Sequence, residues 1–109
     1  MSSLTEEQLE RIKAENPGVE LHVVSSPEAS VEIVVRKPKE DQWRVFRAMQ
    51  ADDEQRPGAL RWLASYCAVF PKGADFAALL AERPGLAETV GAKLVKIAGV
   101  DGTATSRKL

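Results

Sequence analysis

The stretch VEIVVRKPKEDQWRVF, residues 31–46, contains the change from strand to helix that decides the fold. Within VEIVV (31–35), β-branched residues at alternate positions predict a strand with one apolar face. Pro38 is suited to end that strand and to begin a helix, because its fixed φ angle matches the first helical turn. The predicted helix runs from about Lys39 to Ala51. Its apolar stripe consists of Trp43, Val45, Phe46 and Met49.

Upstream of this stretch, the sequence predicts a partner strand and one more helix. LHVV (21–24) is bounded by turn-forming residues, and the loop SSPEAS (25–30) is long enough to connect it to VEIVV as a hairpin. Thr5 and Gln8 have the spacing of a capping box and predict the start of an N-terminal helix. The sequence NPG (16–18) predicts its end.

Downstream, all of the periodic segments are predicted to be helical. ALRWLASYCAVF (59–70) is the most apolar of them, with Leu60, Leu63, Cys67 and Phe70 on one face and Trp62, Tyr66 and Val69 on another. A shorter helix follows around Phe76, Leu79 and Leu80, and a final helix extends from Leu86 to Ile97, with Gly99 as its stop.

The predicted fold class is therefore α+β and mainly helical, with an N-terminal helix, one β-hairpin and then a bundle of about four helices. The chain has 109 residues, which suits one domain. We expect residues 1–99 to form that single domain. Residues 100–109 (VDGTATSRKL) are polar and are expected to form a flexible C-terminal tail.

Composition and charge exclude several classes of function. The formal net charge of -1 argues against nucleic-acid binding. The charge is unevenly distributed, with net -4 over residues 1–30 and net +3 over residues 57–109, and contacts in a dimer or simple solvation explain this as well as a ligand would. A single Cys excludes an internal disulfide and a multi-cysteine metal site. The acidic start MSSLTEEQL does not resemble a signal peptide, and no apolar run is long enough to cross a membrane. We expect a cytoplasmic protein.

Enzymatic chemistry is not expected. His22 is the only histidine and lies in a predicted strand, and Cys67 lies in the most apolar helix without a basic neighbour to activate it. The acidic residues 52–54 lack the spacing of a calcium loop and are expected to cap a helix, and the sequence DGT (101–103) belongs to the tail. No phosphate-binding or dinucleotide-binding motif is present, so we expect no catalytic residues, metal or cofactor.

A basic cluster flanks the aromatic residues of the second helix. It consists of Arg36, Lys37, Lys39, Arg44 and Arg47, next to Trp43 and Phe46. Basic and aromatic side chains together can bind single-stranded nucleic acid. However, Glu40 and Asp41 interrupt the cluster, and the aromatic rings fall on the apolar stripe. We interpret the cluster as a solvated face with local ion pairs.

The sequence resembles the tail assembly chaperones of bacteriophages and of phage-derived tail-like particles. One part of the resemblance is VVRKP (34–38) leading directly into KEDQWRVF (39–46). The other is CAVFP (67–71), followed by a short helix, RPGL (83–86) and a final helix that ends in IAG (97–99). The resemblance covers roughly residues 19–99, and it is one of pattern, without a catalytic motif.

The resemblance implies a non-enzymatic function. Chaperones of this family bind the long, aggregation-prone tape-measure protein and keep it soluble until the tail tube polymerises around it. The expected partner is thus a long helical protein. A homo-oligomer is also expected, for which an open hairpin edge would offer a route by strand pairing.

Physical reasoning, and not the family, supplies the candidate contact residues. A helix apolar on two faces has more apolar surface than a small domain readily buries, so its second face, formed by Trp62, Tyr66 and Val69, is the candidate protein-binding surface. Trp43 and Phe46 are the alternative. All five residues could instead belong to the core. A small protein-binding adaptor, such as an immunity protein or a secretion-system chaperone, is the alternative function.

Overall fold

The computed structural model describes residues 4–26, 30–99 and 108. Helix α1 spans Glu6–Glu15. The predicted capping box at its start is confirmed: the Gln8 amide donates to Thr5 Oγ1 over 3.1 Å, and the Thr5 amide donates to Gln8 Oε1 over 2.9 Å. These two bonds satisfy amide groups that a helix start otherwise leaves without partners, so this short polar helix has a fixed beginning.

The predicted hairpin is present and is part of a larger sheet. Strands β1 (Leu21–Ser26) and β2 (Val31–Arg36) pair in antiparallel register, with Val24 opposite Ile33. A third strand, β3 (Ala68–Phe70), pairs with the other edge of β2, so the strand order is β1-β2-β3. Because β2 is central, residues 33–35 are buried whichever face of the sheet they point to.

The two faces of the sheet are covered by different parts of the chain. One face, with Ile33 and Val35, packs into the main hydrophobic core together with the later helices. On the other face the Leu4 amide, just before α1, donates to Glu32 Oε1 over 2.7 Å. The sheet therefore lies between α1 and the helical body of the molecule.

The helical body consists of α2 (Glu40–Ala51), a short 3-10 turn (Arg56–Gly58), α3 (Ala59–Cys67), α4 (Ala74–Glu82) and α5 (Gly85–Ile97). The α+β, mainly helical fold with an N-terminal helix, a hairpin and then helices is thus confirmed. Helices α3 and α5 pack closely at Gly91. A Cβ atom at this position would lie 2.8 Å from the Leu60 carbonyl oxygen, so only glycine allows this approach.

One prediction about the most apolar segment was wrong. Residues 68–70 were expected to continue the third helix, but α3 ends at Cys67 and Ala68 has extended backbone angles. Ala68 and Phe70 pair with Val35 and Val34 of β2, and this pairing with a distant strand outweighs the local helical pattern. Phe70 therefore does not share a helix face with Leu60, Leu63 and Cys67, as the sequence pattern had suggested. For the same reason Val69 does not share the second helix face with Trp62 and Tyr66.

The expected tail, residues 100–109, and the sequence DGT (101–103) lie outside the described residues, apart from Lys108. None of the helices that the structure describes is long and apolar enough to cross a membrane.

Candidate functional site

Two aromatic side chains form a continuous strip on the outer side of α3. Trp62 and Tyr66 are four residues apart, which places them on adjacent turns of one helix face. Their ring centroids are 5.2 Å apart, with the planes inclined at 41°. Trp62 is half-buried and packs against the core, whereas Tyr66 is 51% exposed. We call Trp62 and Tyr66 the aromatic strip; it presents a large ring to solvent on a rigid helix.

Arg36, the last residue of β2, holds the end of this strip in place. Its guanidinium carbon lies 5.5 Å from the centroid of the Tyr66 ring, and its Nη2 donates to the Tyr66 carbonyl oxygen over 3.0 Å. Its Nη1 donates to Gln42 Oε1, also over 3.0 Å. Gln42 is buried, and its Oε1 additionally accepts from the Lys39 amide at the start of α2. One side chain therefore connects the sheet with two helices.

A cleft of about 250 Å³ with both apolar and polar lining continues from Arg36 along β3. Strand β3 forms one side of the cleft, with Val69 half-buried and Phe70 36% exposed. The end of α1 forms the other side through Ile12, Glu15 and Asn16, and Arg36 and Lys72 also line the cleft. We call this the β3 cleft. Together with the aromatic strip it forms one surface with apolar walls and both charge signs.

The two alternative contact residues, Trp43 and Phe46, differ in how deeply they are buried. The Trp43 and Phe46 rings contact each other, with centroids 5.2 Å apart, but Phe46 is 0% exposed and belongs to the core. Its assignment as a contact residue was wrong, because its ring fills the space between the sheet and the helices. Trp43 is half-buried and packs against the same core.

The basic cluster is not a single patch of like charge. Arg44 forms an exposed ion pair with Glu40, with Nη2 and Oε1 3.0 Å apart, and Arg36 is engaged by Gln42 and Tyr66. Lys37, Lys39 and Arg47 are exposed. Of the interleaved acidic residues, Glu40 thus forms the ion pair that the sequence indicated, and it does so with one member of the cluster, Arg44.

The two residues considered for catalysis, His22 and Cys67, lie in different environments. His22 Nε2 donates to Glu20 Oε2 over 2.7 Å at the surface, and this hydrogen bond lowers the pKa of the Glu20 carboxyl. Cys67 is fully buried, and burial raises the pKa of its thiol, which the positive charge of Arg36 only partly opposes. A thiol of raised pKa in the core is a poor nucleophile.

The acidic residues 52–54 form part of a turn, which Asp52 and Asp53 stabilise by hydrogen bonds and an ion pair. Asp52 Oδ1 accepts from the amides of Glu54 and Gln55 over 2.8 and 3.3 Å, and Asp53 pairs with Arg56. Over the part of the chain that the structure describes, no three His, Cys, Asp or Glu side chains are grouped so that they could hold a metal ion.

Two members of the surface were not among the candidate residues. Arg36 belonged to the basic cluster, and only the fold shows that it contacts Tyr66. Phe70 was assigned to a helix face. Its position directly before Pro71 disfavours helical backbone and could have indicated an extended segment.

The fold also occurs in a bacterial protein of known structure. A solved structure of an uncharacterised protein from Bacillus stearothermophilus aligns with a TM-score of 0.77 and 20% sequence identity, covering 92% of this chain and 99% of that one. At this level of identity, the similarity shows the fold alone. No protein-family model and no curated protein matches the chain.

Proposed function

We propose that this chain is a non-enzymatic assembly chaperone of the phage-tail type, acting in the cytoplasm of a bacterial host. Its client would be a long, helical, aggregation-prone protein of the tape-measure kind, held in solution until the tail tube assembles around it. The observation that best supports this function is the exposed Tyr66 ring, which contacts the Trp62 ring and is continued by the β3 cleft.

The chemistry of this surface suits an amphipathic helix. A helix in a groove is bound through apolar anchors spaced three or four residues apart, which insert between apolar walls. Tyr66 and Phe70 supply exposed aromatic area, and aromatic side chains contribute most at the centre of protein interfaces. Glu15 and Lys72 in the β3 cleft can pair with charges beside the client's apolar stripe, which would fix its orientation.

Affinity capture of the tagged, full-length chain from its host tests this proposal. We expect mass spectrometry to identify one long, helix-rich tail protein, bound by several copies of the chaperone, with no nucleic-acid absorbance. Purified client and chaperone should then form a complex that remains in the supernatant under conditions in which the client alone precipitates.

A matched pair of variants tests whether the client binds to the aromatic strip. Tyr66→Ala should reduce the amount of client that remains in the supernatant by about tenfold, because one aromatic anchor is lost. Val45→Ala removes a side chain of similar exposure, 48%, from α2 and should have no effect. Recovery of a single small folded partner in a one-to-one complex would instead support an adaptor, such as an immunity protein. A salt-sensitive nucleic-acid signal would contradict both.

Self-association is the second part of the proposal, because chaperones that coat a long client act in several copies. Light scattering of the purified chain at increasing concentration measures it directly. A mass equal to that of one chain at all concentrations would contradict it.

A further inference from the structure

A second groove lies along β1, at the opposite edge of the sheet from β3. It has a volume of about 470 Å³ and is lined by residues 22–25 of β1 and by Lys93, Lys96 and Ile97 of α5. We call it the β1 groove. Strand β1 is an edge strand, so its outer side has no strand partner among the residues that the structure describes. Val23, in the middle of β1, is 46% exposed.

The pairing of β1 with β2 shows which backbone groups are available in this groove. The Lys37 amide donates to the Glu20 carbonyl oxygen over 3.0 Å, so Glu20 and Lys37 form a hydrogen-bonded pair of the antiparallel ladder. Because such pairs alternate along the ladder, Leu21, Val23 and Ser25 direct their N–H and C=O groups away from β2. These groups form an open edge that an extended segment can extend by one strand.

The charge of the groove determines what kind of segment fits. Lys93 and Lys96 are exposed and three residues apart, so they share one face of α5, and neither forms an ion pair with another described residue. His22 also lines the groove, with its ring hydrogen-bonded to Glu20, and no carboxylate is among the residues that line the groove. Two acidic residues at alternate positions of an extended segment lie about 7 Å apart, a spacing that two such lysines can match.

The same charges disfavour a second copy of this chain. If two β1 strands paired with each other, each copy would bring its own Lys93 and Lys96 to the shared edge, and like charges would oppose each other there. Lysine beside an edge strand is a common means by which proteins prevent such pairing. Val24 and Ile97 form the apolar part of the groove.

We propose that the β1 groove binds an extended acidic segment of a partner protein, by strand addition to β1 and by ion pairs with Lys93 and Lys96. This site is separate from the aromatic strip, and it does not depend on the identity of the helical client. It would allow the chain to hold a helical client on one side and a second protein on the other.

A labelled ten-residue peptide of alternating Glu and Val tests this site with the full-length chain, by fluorescence anisotropy. We expect saturable binding that weakens about tenfold or more between low salt and 0.5 M salt, since exposed charge pairs are screened. A peptide with Lys in place of each Glu should not bind. A Glu/Val peptide methylated on the backbone nitrogens that face the strand should lose binding at least tenfold, because it cannot donate to the edge.

Variants of the protein locate the site. Lys93→Glu with Lys96→Glu should abolish peptide binding, whereas Lys72→Glu, an exposed lysine of the β3 cleft, should leave it unchanged. Val23→Pro removes an outward N–H that β2 does not use, so circular dichroism should remain that of the folded chain while peptide binding is lost.

Three results would overturn the proposal: equal binding of the Lys peptide, undiminished binding of the methylated peptide, or binding that survives charge reversal of Lys93 and Lys96. A dimer that Val23→Pro dissociates would also overturn it, because the edge would then belong to a second copy. Each result is independent of client capture, which depends on Tyr66.

Discussion

The guanidinium group of Arg36 lies over the Tyr66 ring and donates to the Tyr66 carbonyl oxygen, so the end of a central strand fixes the end of a surface helix. This carbonyl belongs to the last turn of α3, where carbonyl groups lack partners within the helix. The ring is thereby held at the surface in one position. Such preorganisation lowers the entropy lost when a partner binds.

We expect Arg36→Ala to destabilise the fold by about 1–2 kcal/mol. Buried Gln42 would lose one of its hydrogen-bond partners, and the Tyr66 ring would lose its cation–π contact with the guanidinium group. Urea unfolding followed by circular dichroism measures this. Arg44→Ala is the control, since Arg44 forms only an exposed ion pair with Glu40 and its loss should cost less than about 0.5 kcal/mol. Equal effects of the two substitutions would show that Arg36 has no special role.

We expect Gly91→Ala to destabilise the chain by about 1–2 kcal/mol, although alanine is the better helix former. The added Cβ would meet the backbone oxygen of Leu60 at 2.8 Å, and a backbone atom between two packed helices cannot move away cheaply. Gly85→Ala provides the control at the start of the same helix, where nothing lies within 4 Å of the added Cβ. Its thermal midpoint should be nearly unchanged. A Gly91→Ala variant as stable as wild type would mean that α3 and α5 pack less closely.

The thiol of Cys67 should make the stability depend on pH in alkaline solution. Its pKa is raised by burial, so the folded state retains the proton at a pH at which the unfolded state has lost it. This contribution to stability is complete below the pKa of the unfolded thiol and is lost as the pH rises through the folded pKa. From about pH 8 to pH 10, the free energy of unfolding should fall more for wild type than for Cys67→Ala.

The native thiol should also react slowly with a disulfide reagent, at a rate that urea increases in parallel with unfolding. Rapid labelling of the folded chain, or identical pH profiles for wild type and Cys67→Ala, would contradict the burial of this residue.

Trp62 and Tyr66 should respond differently to truncation. Trp62→Ala removes a ring that packs against the core and should cost about 2–4 kcal/mol in stability, whereas Tyr66→Ala should cost less than about 1 kcal/mol because half of that side chain is exposed. Both should weaken client binding, so only Tyr66→Ala separates binding from folding. A large fall in the thermal midpoint of Tyr66→Ala would show that its ring belongs to the core.

Reversing the charge of two exposed arginines of α2 tests the nucleic-acid alternative. We expect the double variant Arg44→Glu and Arg47→Glu to capture the client nearly as well as wild type, because neither residue lines the β3 cleft or the aromatic strip. Capture is compared with that by Tyr66→Ala under the same conditions. A large loss in the arginine variant alone would favour an electrostatic role for this face.

The sequence predicted the fold wherever local rules decide the structure. The Thr5 and Gln8 capping box, the NPG stop and the Gly99 stop depend on a few neighbouring residues, and the helix boundaries at these signals lie within a residue or two of the predicted ones. Residues 68–70 differ because their structure depends on a strand more than thirty residues away. Val69 and Phe70 favour extended structure, but this preference decides the outcome only once β2 offers an edge.

The candidate site was predictable in part for the same reason. Helical spacing places Trp62 and Tyr66 on one face, and the structure has them there. Helical spacing alone does not show which faces the sheet covers, so Phe46, on a similar stripe, was wrongly considered a contact residue. The junction at Arg36 required the tertiary arrangement, because it joins residues thirty positions apart.

The central position of β2 also has a consequence for how the chain is made. During synthesis the hairpin leaves the ribosome long before β3 does, and until Phe70 has emerged the second edge of β2 has no partner. Residues 33–35 are then apolar and beside an unpaired strand edge, the combination that promotes aggregation of nascent chains. Stalling translation before residue 68 should therefore give aggregated nascent chains, whereas stalling well after residue 99 should not. A protein proposed to shield a client thus passes through an interval in which it needs shielding itself.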